Sequence, residues 1–286
     1  MTEGGDASGA GGSVTARFAE LVARDDEEIP LDEAALLIAA HARPELDVAA
    51  ELGRLDELAA SCKEPTLDGL THRLFDELGF RGNAEHYQDP DNSYLDQVVR
   101  RRLGIPITLS VLTMEVGRRL GVALDGVGMP GHFLVRHRAD PGTFLDPFGG
   151  GRRFDAAGCQ EIFTALGGTG PGARGRPPDS GGVSRLEWQD SYLAPVGARA
   201  ILSRMLLNLQ GVFLPADLRS AAWLLELRLT IPGLAVADRL GLARALGSMG
   251  QFGSAAAALD RVAEELPPEE AVTVRAESRS LRARHN

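Results

Sequence analysis

The chain has 286 residues, 44% of them hydrophobic, which is long for one core and comfortable for two units. Its formal net charge of −10 speaks against non-specific nucleic-acid binding. Two cysteines, Cys62 and Cys159, are too few for a disulfide framework. The N-terminus has no leader pattern and no apolar run reaches membrane-spanning length, so a cytoplasmic protein without membrane association is expected.

Residues 1–13 are rich in Gly, Ser and Ala and are expected to be a disordered tail. Helical patterning begins near Val14. Ala34, Leu37, Ile38 and His41 share one face of a helix over Leu31–Ala42, which Pro44 ends. Two further amphipathic helices are predicted over residues 46–62 and 67–78. A loop marked by Gly79, Gly82 and Asn83 runs to Pro90. Ser93, followed by Asp96, reads as an N-cap. After Gly104, Pro106 suits the first turn of a helix that ends near Gly121, because proline's missing N–H costs nothing there. Two strands follow, His132 to His137 and Thr143 to Phe148, across the turn signal Asp140-Pro141-Gly142. If residues summing to about 280 pair across that turn, His132 faces Phe148 and Asp146 is its diagonal neighbour.

Residues 167–182 (GGTGPGARGRPPDSGG) cannot bury a core and are expected to be a flexible loop inside a domain of residues 14–194. Residues 195–286 read as a helical appendage. Ser220-Ala221-Ala222 recurs as Ser254-Ala255-Ala256, and Leu206 and Leu240 repeat the same 34-residue offset, which is the tetratricopeptide period. No HExxH, CxxC or Walker-type spacing occurs, so no metal or other cofactor is expected.

The strings NSYLDQVVRRRLGIPITLS, GVGMPGHFLVR and FLDPFGGG resemble the SirB-type family of bacteria, which joins a transglutaminase-like domain to tetratricopeptide-like helices. A related segment occurs in an animal F-box protein. The resemblance implies an α/β (α+β) fold with a papain-like core, N-terminal helices and a C-terminal helical segment. It also implies a site made of a Cys at a helix start, a His on a strand and an Asp on the next strand. His132 and Asp146 match the last two positions. The Cys position, two residues after a helix-opening Gly, is Pro106.

A thiol belongs there because the helix dipole and unpaired N–H groups stabilise a thiolate, which a His then pairs and a carboxylate orients. Proline supplies no nucleophile. Thr108 and Ser110 are displaced around the helix and need stronger base assistance than a thiol. Cys62 and Cys159 read as ordinary packing thiols. His132 and Asp146 therefore stand as triad remnants, weighed equally as a structural pair and as a ligand-binding one. His86, Asn92, Thr108, Ser110, His132 and Asp146 are the residues expected to line the cleft. The function expected is a non-catalytic interaction or regulatory module with a protein or peptide partner. The alternative is a hydrolase or acyl-transfer enzyme with an unconventional nucleophile.

Overall fold

A computed structural model describes residues 7–167, 186–213 and 221–285. The N-terminal layer is helical, with α1 (Ala7–Val22), α2 (Leu31–Ala42), α3 (Val48–Ala60) and α4 (Leu67–Thr71), the last continuing in wider π-turns through Glu77. Helix α1 thus starts within the stretch expected to be a tail, and residues 1–6 lie outside the described residues. Helix α2 has apolar residues on most of its surface and is buried along nearly its whole length, as such a pattern requires.

A two-residue strand β1 (Arg81–Gly82) leads through a loop to α5 (Leu95–Arg101), β2 (Leu103–Gly104) and α6 (Pro106–Leu120). Ser93 does not cap α5. Residues 90–93 form a 3-10 turn of their own, begun by the Asp89 carboxylate accepting from the Asp91 N–H at 3.0 Å, and Tyr94 takes the N-cap position. Helix α6 starts on Pro106 and stops at Gly121, whose φ of 76° only glycine adopts without strain. Between these ends it is the central helix, packed by α2, α3, α5 and the sheet.

The sheet contains β3 (Leu124–Val127), β4 (Leu134–His137), β5 (Phe144–Asp146), β6 (Arg152–Phe154) and, after α7 (Ala156–Ala165), β7 (Pro195–Val196). The order is β6-β5-β4-β3-β7, antiparallel throughout, so the fold is α+β. Period-2 alternation explains why both faces are covered. Phe133, Val135 and Leu145 join the core containing α6, while Leu134 and Phe144 join Cys159 and Phe163 of α7. Residues 168–182 of the expected loop lie outside the described residues.

The C-terminal part is helical: α8 (Ala198–Phe213), α9 (Ala222–Thr230), α10 (Val236–Ser248), α11 (Phe252–Glu265) and α12 (Pro268–His285). Packing crosses the expected division at residue 194. Ile201, Met205 and Leu209 of α8 and Leu224 and Leu227 of α9 belong to the same core as α2 and α6. Beyond α9, helices α10, α11 and α12 pack successively, and Ala221, Ala222, Ala255 and Ala256 are all buried; Ser220 lies outside the described residues.

Candidate functional site

The hairpin of β4 and β5 brings His132 and Asp146 together. Val135 pairs with Leu145 and Arg136 with Phe144, the register in which His132 falls opposite Phe148. The His132 Nε2 lies 2.9 Å from Asp146 Oδ1, and both residues are buried, 4% and 8% exposed. With Asp146 ionised, Nε2 carries a proton and donates it to the carboxylate. Burial opposes ionisation of Asp146. The hydrogen bond and charge of His132 and the Gly149 and Phe148 amides outweigh it and hold the carboxyl below its ordinary range.

The glycines of FLDPFGGG shape this carboxylate's bed. A Cβ on Gly149 would stand 2.6 Å from Asp146 Oδ2, and Gly151, at φ 78°, returns its N–H to the Asp146 carbonyl at 2.9 Å. The run of glycines was the sequence signal for this turn.

Aromatic rings cover the pair. Phe148 meets His132 edge-on at 6.1 Å between centroids, and Tyr87 meets Phe148 at 6.0 Å. Gly82 lies against the Phe148 ring so closely that a Cβ would sit 2.5 Å from it. Its N–H donates to the Phe148 carbonyl at 3.0 Å, and it pairs with Gly104, two residues before Pro106. This short ladder ties the start of α6 to the cover of His132.

Pro106 is buried at the first position of α6. The other candidates divide sharply. Asn92, Thr108 and Ser110 have no exposed surface, which corrects the expectation that they line an open cleft. Asn92 Nδ2 donates to the His86 carbonyl at 2.7 Å and its Oδ1 accepts from Asn83 at 3.0 Å. The Thr108 hydroxyl donates to the Asn92 carbonyl at 2.6 Å and accepts from the Ile105 N–H at 3.2 Å. These side chains stitch the loop before α5 to the start of α6. Ser110 Oγ is enclosed with no hydrogen-bond partner among the described residues. His86, by contrast, is exposed, and with residues 84–89 and Phe148 it lines a surface groove of about 560 Å³.

Neither thiol compensates for Pro106. Cys159 is packed behind the sheet, and burial, with Asp155 and Asp146 nearby, pushes its pKa up to about 12. Burial also raises that of Cys62. Among the described residues no group of three or more His, Cys, Asp or Glu side chains could hold a metal ion. No described helix is long and apolar enough to cross a membrane.

Sequence reasoning missed Arg204, on α8. Its Nη2 donates to the carbonyls of His132 at 2.7 Å and Met129 at 3.2 Å, and its guanidinium lies 5.3 Å from the Phe133 ring centroid. A lone Arg on an amphipathic helix carries no local signal of such a contact.

Comparison with known proteins agrees with this architecture. Residues 38–207 match the model of the transglutaminase-like superfamily. A UPF0162 protein of Xylella fastidiosa is 40% identical over 203 residues, covering 68% of each chain. A UPF0162 protein of Pseudomonas aeruginosa is 34% identical, covering 63% of each. F-box only protein 21 of Mus musculus is 39% identical over 106 residues, 34% of this chain and 17% of that protein. No solved structure matches. The family match spans more than half the chain, and its span contains Pro106, His132, Asp146 and Arg204: the chain belongs to the transglutaminase-like superfamily.

Proposed function

We propose that this chain is a non-catalytic interaction or regulatory module of the SirB type, which recognises a protein or peptide through the old active-site region of a disarmed transglutaminase-like core. The observation that carries the reading is Pro106 in the first turn of α6, a helix that packs on β4, together with an intact His132–Asp146 pair. A fold that keeps the imidazole, the carboxylate and their cover, but has proline where the family pattern has its thiol, retains a shaped polar pocket without a nucleophile. The exposed groove along residues 84–89 offers an extended segment a bed beside it.

The C-terminal helices support the same reading. Helices α9 and α10, then α11 and α12, pack as successive neighbours, and Ala222 and Ala256, 34 residues apart, are both buried. Such tetratricopeptide-like stacks present concave surfaces to partner chains. A cytoplasmic location fits this role.

The second reading, an acyl-transfer or hydrolytic enzyme with an unconventional nucleophile, draws on the same His132–Asp146 pair. The Thr108 hydroxyl, bound to main-chain groups on both sides, speaks against it. Two measurements on the full chain separate the readings. Affinity purification from the native cell should recover a stoichiometric partner, lost when Phe148→Asp disrupts the cover of His132. Amine incorporation into glutamine substrates should stay at background. Turnover abolished by His132→Ala, with no partner recovered, would overturn the proposal.

A further inference from the structure

Arg204 is a cation with no counter-ion among the described residues of this acidic chain. The protein has 40 acidic residues against 30 Lys and Arg, and its half-buried arginines generally find them. Arg119 meets Asp32, Glu115 and Asp56, and Arg43 meets Asp91 and Asp96. Arg204 has only carbonyl oxygens, both on Nη2; among the described residues no carboxylate lies within ion-pair distance of it. Among the described residues its Nε and Nη1 have no hydrogen-bond partner. Keeping a guanidinium in such surroundings is costly unless an anion completes it.

Three surroundings point to where that anion comes from. Gly128 stands beside Nη1, where a Cβ would approach to 3.4 Å, so the absence of a side chain keeps one edge of the guanidinium open. The Tyr87 phenol is within electrostatic reach of Arg204, and Tyr87 also lines the groove of residues 84–89 and Phe148. The carbonyl that Arg204 holds most closely belongs to His132 itself. The guanidinium is thus tied to the main chain of His132 and lies within electrostatic reach of a groove residue, and its Nη1 group can still donate a single charge-assisted hydrogen bond to a carboxylate.

We propose that Arg204 is the anion-recognising residue of the His132 site, and that it takes a carboxylate of the bound peptide, from its C-terminus or from an acidic side chain. This rests on the recognition function proposed above and names its chemistry. It also links the C-terminal helices to the site, because Arg204 reaches it from α8.

Three small probes test the proposal on the full chain: N-acetylglycine, N-acetylaspartate α-methylamide and the neutral N-acetylglycine methylamide. The readout is the position of the His132 ring resonances during titration. At least one carboxylate probe should shift them saturably and the neutral probe should not. The terminal probe acting alone identifies a C-terminus, and the aspartate probe acting alone identifies an acidic side chain. Arg204→Gln should weaken binding about tenfold or more, the loss expected for a charge-assisted hydrogen bond, and Arg204→Lys should retain part of it. Gly128→Ala leaves Arg204 in place and crowds Nη1, so it should weaken binding even if Arg204→Gln fails to fold. Equal shifts by the neutral probe, no shift by either carboxylate, or unchanged affinity in folded Arg204→Gln would overturn the assignment. Recovery of the cellular partner by folded Arg204→Gln at wild-type levels would do the same, yet leave the recognition function standing.

Discussion

Removing the Asp146 carboxylate should destabilise the protein, and the cost can be built from its contacts. The side chain accepts from His132 Nε2 at 2.9 Å and from the Phe148 and Gly149 amides, in a position only 8% exposed. Asp146→Ala leaves these donors without it, and each donor that water cannot reach costs about 1–3 kcal/mol. His132→Ala removes the edge-on contact with Phe148, about 0.5–1.5 kcal/mol beyond area burial, and leaves Asp146 its amide donors. In the double mutant the broken His–Asp bond is counted once. The sum of the single losses should therefore exceed the double loss by about 0.5–3 kcal/mol. Denaturant melts at pH 7 with matched m-values measure this cycle. Strict additivity would mean that the pair contributes no coupling, and the active-site assignment of the hairpin would fall with it. The pair also has a pH signature. The Asp146 carboxyl titrates below its unfolded value of about 3.9, so its contribution is complete above that pH and is lost as the pH falls through the lower folded value. Asp146→Asn should remove that part of the acid sensitivity.

Other expectations concern the frame around the site. Burial, then the nearby Asp32, raises the Glu115 pKa to about 7; its unfolded value is about 4.3, so stability should fall as the pH rises toward and through 7, and the melting temperature of Glu115→Gln should show a flatter profile. Ala222 packs among Leu225, Leu242, Leu246 and Ala255, and Ala222→Arg should cost at least about 1–3 kcal/mol by overpacking alone; an unchanged melting temperature would refute the helix contacts. Gly149→Ala places a methyl on the Asp146 carboxylate, so it should shift the His132 ring resonances and lower the denaturation midpoint, whereas Gly150→Ala meets no neighbour and is strained only by its φ of 75°.

What could be read from the sequence was local. Helix α2 announces itself through its apolar pattern and the prolines that bracket it, and its observed limits are the expected ones, Leu31 and Ala42. The β4–β5 register follows from a short connection, residues 138–143, that carries the turn signal Asp140-Pro141-Gly142 and leaves few alternative pairings. Strand β7 could not be read. It has two residues, and its partner Gly126 lies far upstream of Val196, so neither periodicity nor a turn signals the pairing. The error at Ser93 has the same origin: a hydroxyl before an apolar run looks like a cap, but the Asp89 turn had already claimed the preceding residues.

The site shows the same divide at the level of single side chains. His132 and Asp146 were legible because the β4–β5 hairpin fixes their separation, although His132 lies two residues before β4 and not on the strand expected to hold it. Asn92 and Thr108 were misread as cleft residues because polar side chains near a catalytic position look available until their bonds are traced. Each spends its polar atoms on the chain itself, Thr108 on the Asn92 carbonyl and Asn92 on the His86 carbonyl. Arg204 is the converse case. It comes from a distant helix and its meaning lies in what it lacks, a carboxylate partner among the described residues. Internal bonding thus separates the two groups better than residue type does. Asn92 and Thr108 help to build the entrance to α6, whereas Arg204 holds the His132 carbonyl through Nη2 and keeps its Nη1 donors uncommitted among the described residues. Recognition at this site should therefore be more sensitive to charge removal at Arg204 than to a stability-matched substitution at Thr108.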